Sequence, residues 1–131
     1  MKKLFTFFMA VAMIFSLCAL SVLAANESSS GRVPGATYTM YASVTSSSGS
    51  ASIDANCNSG TMQVETMCVA EMLNGNWTAP NYDTSSVSGS VSTYASVSGS
   101  NIIAVCTEHH IYVNGSYVDT VGLDVALGSD R

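Results

Sequence analysis

The sequence is poor in charge, in proline and above all in cations. Charged residues make up 10% of the 131 residues, and Lys plus Arg number only four. An average soluble protein has about 25% charged residues. The shortage of cations argues against a nucleic-acid binder, which needs clustered positive charge on its surface, and against a polybasic membrane-surface protein. Because hydrophobic residues reach 47%, charge-driven disorder is not expected either.

Long apolar runs are also missing, except at the N-terminus. Met1-Lys2-Lys3 is followed by an almost wholly apolar stretch over residues 4–20 and by small residues at 24–25. This order is typical of a secretory signal peptide, and we predict cleavage after Ala24, with cleavage after Ala25 as the alternative. A retained transmembrane anchor is the competing interpretation, since about 20 apolar residues span a bilayer. We expect a secreted, extracellular protein without a stable membrane anchor after processing.

Removal of the signal peptide changes the charge and the thiol count. Both lysines and Cys18 are removed with it. The remaining chain has two cations, Arg32 and Arg131, and nine acidic residues, which give it a formal net charge of −7. The remaining cysteines are Cys57, Cys68 and Cys106.

Strand and turn signals dominate the rest of the chain. β-Branched and aromatic residues alternate with Ser, Thr and Ala, and Ser-Gly or Asn-Gly pairs recur at short intervals, which is the pattern of an all-β domain. We predict strands over residues 36–45, 50–57, 61–73, 87–97, 101–113 and 116–125, with a short return strand from Trp77 and an irregular segment over 79–86. About seven short strands at this spacing favour an antiparallel β-sandwich. The predicted organisation is a signal peptide (1–24), a flexible leader (25–35), a sandwich domain (36–125) and a frayed tail (126–131).

Two Asn-Gly pairs, at 74–75 and 114–115, predict tight hairpin turns, because this dipeptide readily adopts positive φ. In the strand over residues 61–73, alternation places Cys68 on the inward face. Gln63, Glu65 and Glu71 mark the other face as solvated.

Two segments resemble a known family. The run 61–77, which ends Leu73-Asn74-Gly75-Asn76-Trp77, and the run Val105-Cys106-Thr107-Glu108-His109, followed by Val113-Asn114-Gly115, carry the likeness. Together they resemble small secreted proteins of clostridia-like Gram-positive bacteria, over about residues 36–121. The resemblance implies an immunoglobulin-like or fibronectin-like sandwich. That family has no established activity, so it implies no functional residues.

Export to an oxidising environment predicts a disulfide. If the strands over 61–73 and 101–113 pair end to end, Cys68 lies opposite Cys106, at a separation that a disulfide tolerates. Cys57 is then a free thiol. Two alternatives stay open: a bridge between Cys57 and Cys106, and three reduced, buried thiols.

The remaining titratable residues do not form a recognisable catalytic or metal motif. His109 and His110 are adjacent and therefore point to opposite faces of a strand, so they cannot chelate one ion from one side. Glu108 and His110 share a face but supply only two ligands. We expect a packed His109, a solvated His110, no metal site and no cofactor.

These observations predict a non-catalytic protein rather than an enzyme. The preferred interpretation is a secreted β-sandwich that serves as an interaction or accessory module, with an unknown extracellular ligand such as cell wall, glycan or protein. The alternative is a secreted antibacterial peptide or small toxin of the bacteriocin type. An anionic mature chain opposes this alternative, since envelope-active proteins usually carry cations.

Overall fold

The computed structural model describes residues 24–128, which form seven antiparallel strands and no helix. The strands are β1 (Ala24–Val33), β2 (Ala36–Thr45), β3 (Ser48–Met72), β4 (Asn81–Ser98), β5 (Ile102–Val113), β6 (Ser116–Val121) and β7 (Asp124–Ala126). The predicted all-β, antiparallel class is confirmed. Within 24–128 there is no helix of the length and apolarity needed to cross a membrane.

Two long strands, β3 and β4, run through both layers of a sandwich. Residues 48–56 of β3 lie between β2 and the end of β4, whereas residues 62–68 lie between β5 and the beginning of β4. The first layer therefore consists of β1, β2 and residues 48–56 and 90–98. The second consists of residues 61–72 and 81–88 with β5, whose far edge pairs with β6 and β7. Face-to-face antiparallel layers are consistent with the immunoglobulin-like class.

A local irregularity moves β3 from one layer to the other. The pairing of β3 with β4 shifts register between Asn56 and Thr61. Gly60 has a φ of 93°, and a Cβ on this residue would lie 1.9 Å from Asn114 Oδ1. The same oxygen accepts a hydrogen bond from Thr61 N at 3.0 Å, and Asn114 N donates to Thr61 O at 2.9 Å. Only glycine fits this close approach, so the turn between β5 and β6 fixes the point where β3 bends.

Apolar side chains from both layers meet between them. Ile53 of the first layer and Ile111 of the second are fully buried in one cluster, and each contributes about 1.5–3 kcal/mol of hydrophobic free energy. A second cluster joins members of both layers: Ala25, Ala42, Val44, Ala51, Cys68, Ala70, Ala95, Val97, Ile102, Val105, Val125 and Leu127.

The two segments predicted to lie outside the domain are ordered parts of it. β2 has the predicted bounds, but the predicted flexible leader is wrong, because residues 24–33 form β1 and pair along the whole length of β2. Ala25 and Val33 are buried at its two ends. The predicted frayed tail is wrong at its start, since Ala126 belongs to β7 and the buried Leu127 donates from its backbone N to Ile103 O at 2.8 Å.

The segment predicted to be irregular, 79–86, instead contains the beginning of β4. This beginning lies beside the end of the same strand. Asn81 Nδ2 donates to Ser96 O at 2.8 Å, and Asp83 Oδ2 accepts from Tyr94 N at 2.9 Å. These side chains satisfy backbone groups along an edge that has no further strand, which is one way in which sheet edges are protected from pairing with other chains.

Candidate binding site on the second layer

The three cysteines in the described part of the chain are buried, free thiols. The predicted register is wrong by one residue, because Cys68 pairs with Thr107 and Cys106 pairs with Val69. Adjacent strand residues point to opposite faces, so Cys68 faces the core between the layers and Cys106 faces outward, under Trp77. Neither the predicted bridge between Cys68 and Cys106 nor the alternative from Cys57 is formed.

Burial keeps two of these thiols in their neutral form. It raises the pKa of Cys68 to about 12, and burial with a hydrogen bond to Asp124 raises the pKa of Cys106 as well. Cys57 donates weakly to Gly60 O at 3.5 Å. A thiol with a raised pKa is a poor nucleophile, because the thiolate is the reactive species.

The predicted cleavage site lies at the edge of the described residues. Residues 1–23 of the predicted signal peptide (1–24) lie outside them. Ala24 is the exposed first residue of β1, and Ala25 is fully buried opposite Val44. Cleavage after Ala24 stays a prediction.

The two adjacent histidines point to opposite faces of β5, as expected. His109 is fully buried in the core, where its Nδ1 lies 2.8 Å from Thr66 Oγ1. That hydroxyl is in turn hydrogen-bonded to the Thr93 hydroxyl across the two layers. His109 Nε2 has no hydrogen-bond partner. Burial and the neighbouring His110 lower the pKa of His109 to about 4, so the ring is neutral at pH 7.

The outer face of the second layer carries a polar group of side chains, Glu65, Glu108, His110 and Tyr112, here called the Glu–His–Tyr cluster. His110 Nε2 lies 2.5 Å from Glu108 Oε1, and its Nδ1 lies 3.9 Å from Glu65 Oε1. Tyr112 donates its hydroxyl to Glu65 Oε1 at 2.8 Å, which raises the pKa of this phenol. The imidazole thus stands between two carboxylates.

Strand alternation and one hairpin assemble this cluster. Residues 108, 110 and 112 point to the same side of β5, and Glu65 of β3 pairs directly with His110. Asn114 and Gly115, with φ values of 51° and 80°, form the predicted tight turn and bring β6 back alongside. The Tyr117 ring of β6 then packs edge-on against Tyr112, with ring centroids 5.8 Å apart.

A groove of about 490 Å³ opens beside the cluster. Glu65, Glu108 and His110 line it together with Met67 and Tyr82, and Tyr82 is 65% exposed. Carboxylates accept hydrogen bonds, the imidazole has a nitrogen for either role, and an exposed ring offers a surface for stacking. The groove therefore suits a ligand with hydrogen-bond donors and an apolar face. Residues 24–128 contain no group of three or more His, Cys, Asp or Glu side chains placed to hold a metal ion.

Most of this site was not anticipated from the sequence. The shared face of Glu108 and His110 was predicted. Glu65, Tyr82 and Tyr112 lie on three different strands, β3, β4 and β5, and were not predicted to join them. Only the correct register brings Glu65 opposite His110. In the structure, the hydrogen bonds between Thr61 and Asn114 fix this register.

One predicted solvated residue on this face is buried. Glu71 is 1% exposed, and its Oε2 has no hydrogen-bond partner. The connection between β3 and β4 folds back over it, with Thr78 N donating to Ala70 O and a bridge between Glu71 and Trp77. Burial raises the pKa of Glu71 to about 7.

Comparisons with known proteins show low-identity structural likenesses. No protein-family model matches the chain, and no curated protein matches it. Among solved structures, a glycosyl hydrolase family 2 member from Bacteroides cellulosilyticus has a TM-score of 0.44 at 9% identity and covers 79% of this chain. A putative beta-galactosidase from Bacteroides fragilis has a TM-score of 0.39 at 7% identity over 78% of this chain. A beta-glucuronidase from Bacteroides uniformis has a TM-score of 0.39 at 8% identity over 79%. The matches span only 14%, 16% and 13% of those three chains.

Proposed function

We propose that this protein is a secreted, non-catalytic β-sandwich module that binds a ligand outside the cell, and that the ligand occupies the groove beside the Glu–His–Tyr cluster. One observation carries the proposal: two carboxylates, an imidazole and an exposed tyrosine converge on one open groove. Charged side chains on a sheet surface otherwise tend to spread into solvent. Their convergence at one place is typical of a binding site.

The ligand is expected to present hydrogen-bond donors. Glu65 and Glu108 each have one oxygen beyond the contacts with Tyr112 and His110, and a carboxylate only accepts hydrogen bonds. Within residues 24–128 the sequence has no lysine and a single arginine, Arg32, which lies on the first layer. Cell-wall polymers, glycans and proteins with exposed hydroxyl or ammonium groups meet this requirement.

A non-catalytic role is supported by the separation of the reactive groups. The three thiols are buried and lie apart from the groove, whose lining contains none of them. His110 therefore has no neighbouring thiol to activate, and His109 faces the opposite side of β5.

The test is binding of the purified mature protein to cell-wall preparations, a glycan panel and extracellular proteins. We expect Glu65→Gln and Tyr82→Ala each to weaken binding about tenfold, which corresponds to about 1.4 kcal/mol. Glu27→Gln is the matched control, since Glu27 is an exposed acid on β1. Unchanged binding by both groove variants, with folding verified by circular dichroism, would refute the assignment of the groove.

A further inference from the structure

The outer face of the first layer carries two exposed tyrosines in one row. The groove described above lies on the second layer. Tyr41 pairs with Ser52, and Ser52 pairs with Tyr94. The two tyrosines are 44% and 61% exposed, whereas the next residues along their strands, Ala42 and Ala95, are buried. Both rings therefore stand on the outside. Since neighbouring strands lie about 4.8 Å apart, the two Cα atoms are about 9–10 Å apart.

Hydroxyl and amide groups cover the rest of this face. In the row next to the tyrosines, Ser92 donates to Asp54 Oδ1 at 2.6 Å, and both residues line a groove of about 590 Å³. Thr39 of the same row is hydrogen-bonded to Ser30 at 2.8 Å. Internal hydrogen bonds of this kind hold the hydroxyls in fixed orientations, which lowers the entropic cost of binding a polar ligand.

The charges that point outward from this face are balanced. By register they are Arg32 and Asp54, and both line the groove. At the edge of the face, the Asp83 carboxylate from the beginning of β4 accepts a hydrogen bond from Tyr94 N at 2.9 Å. The remainder of the described chain is strongly acidic, since residues 24–128 apart from Arg32 and Asp54 hold seven acids and no Lys or Arg. A face whose outward charges cancel, with its one further carboxylate held by a backbone N–H, complements an uncharged ligand better than a charged one.

We propose that this face binds an uncharged β-1,4-linked glycan chain, laid across the strands so that Tyr41 and Tyr94 each stack on one sugar ring. Successive units of such a chain are turned by half a revolution, so that units n and n+2 present the same face. The length of this two-unit repeat is close to the distance between the tyrosines. The Ser52 hydroxyl lies beneath the unit between them. The proposal goes beyond the function above, because it concerns a different face and names its own ligand.

The experiment measures affinity for uncharged cello-oligosaccharides and chito-oligosaccharides of two to six units by calorimetry. Contact with both rings needs units n and n+2, so we expect affinity to rise steeply from two units to three. Tyr41→Ala and Tyr94→Ala should each remove this step and weaken hexasaccharide binding about tenfold. Tyr117→Ala is the matched control, since this tyrosine is 58% exposed on the second layer and does not line the groove there.

The proposal would be overturned by no binding of any uncharged oligosaccharide, by binding without the step between two and three units, or by an equal loss in Tyr117→Ala. A salt-sensitive preference for charged oligosaccharides would also contradict it. Circular dichroism and thermal melting of each variant separate loss of binding from loss of folding. The variants of the second-layer groove are measured separately, so that failure of one site leaves the result for the other intact.

Discussion

Two buried titratable groups, His109 and Glu71, should give the stability of this protein opposing pH dependences. The pKa of His109 falls from 6.5 to about 4 on folding, so the unfolded chain binds a proton that the folded one rejects. Stability is therefore lost as pH falls from 6.5 to 4. The pKa of Glu71 rises from 4.5 to about 7, so the folded chain keeps a proton that the unfolded one releases. Stability is then lost as pH rises from 4.5 to 7.

The two effects are similar in size. One pKa unit corresponds to 1.36 kcal/mol, so each group changes the free energy of unfolding by about 3 kcal/mol across its range. Between pH 4.5 and 6.5 the two slopes cancel. We expect Glu71→Gln to unmask the histidine, so that stability rises with pH by about 3 kcal/mol between pH 4 and 6.5. The same variant should be more stable than the parent above pH 7.

The assay is urea unfolding at a series of pH values, followed by the fluorescence of Trp77, the only tryptophan. His109→Gln should show the opposite slope, with stability falling between pH 4.5 and 7. The double variant measures what all other groups contribute and is subtracted. Parallel pH profiles for the parent and both single variants would refute the reasoning.

Two further predictions concern the bend in β3 and the thiols. Gly60→Ala should lower the free energy of unfolding by about 2–3 kcal/mol, because the new Cβ combines a positive φ with a clash against Asn114. Gly89 has a similar φ but no neighbour within 4 Å, so Gly89→Ala should lower the free energy of unfolding by only about 1 kcal/mol. Equal losses in urea unfolding would contradict the role of the contact. The buried thiols of the native protein should resist alkylation, and the denatured mature chain should take up three labels without reductant. The melting temperature should be the same with and without reductant. Fewer than three labels by mass spectrometry would indicate a disulfide.

The parts of the fold that local sequence encodes were predicted well. β2 has a clear alternation of inward and outward residues and turn residues at both ends, so its bounds were predicted. The Asn114-Gly115 turn follows from the tolerance of these two residues for positive φ.

Long-range pairing was not predictable in the same way. The register of β3 and β5 was missed by one residue because Asn114, a turn residue by local criteria, itself pairs with Thr61 through its backbone and side chain. That single step exchanges the faces, which separates the thiols of Cys68 and Cys106 and joins Glu65 to His110.

That residues 24–33 form an ordered strand, β1, could not be predicted from the local sequence either. Ser28, Ser29 and Ser30 carry no apolar alternation, since an edge strand is held by backbone hydrogen bonds to a single neighbour. Glu71 was assigned to solvent for a related reason. Its strand position is on the outer face, and only the return of the chain at Trp77 covers it.

The passage of β3 through both layers has a consequence for how the molecule comes apart. Each layer contains part of the same strand, so neither layer can unfold while the other stays intact. The domain therefore has no boundary along which a stable fragment could separate. Opening events large enough to expose the interior should therefore be global and rare, with little graded loosening on the way.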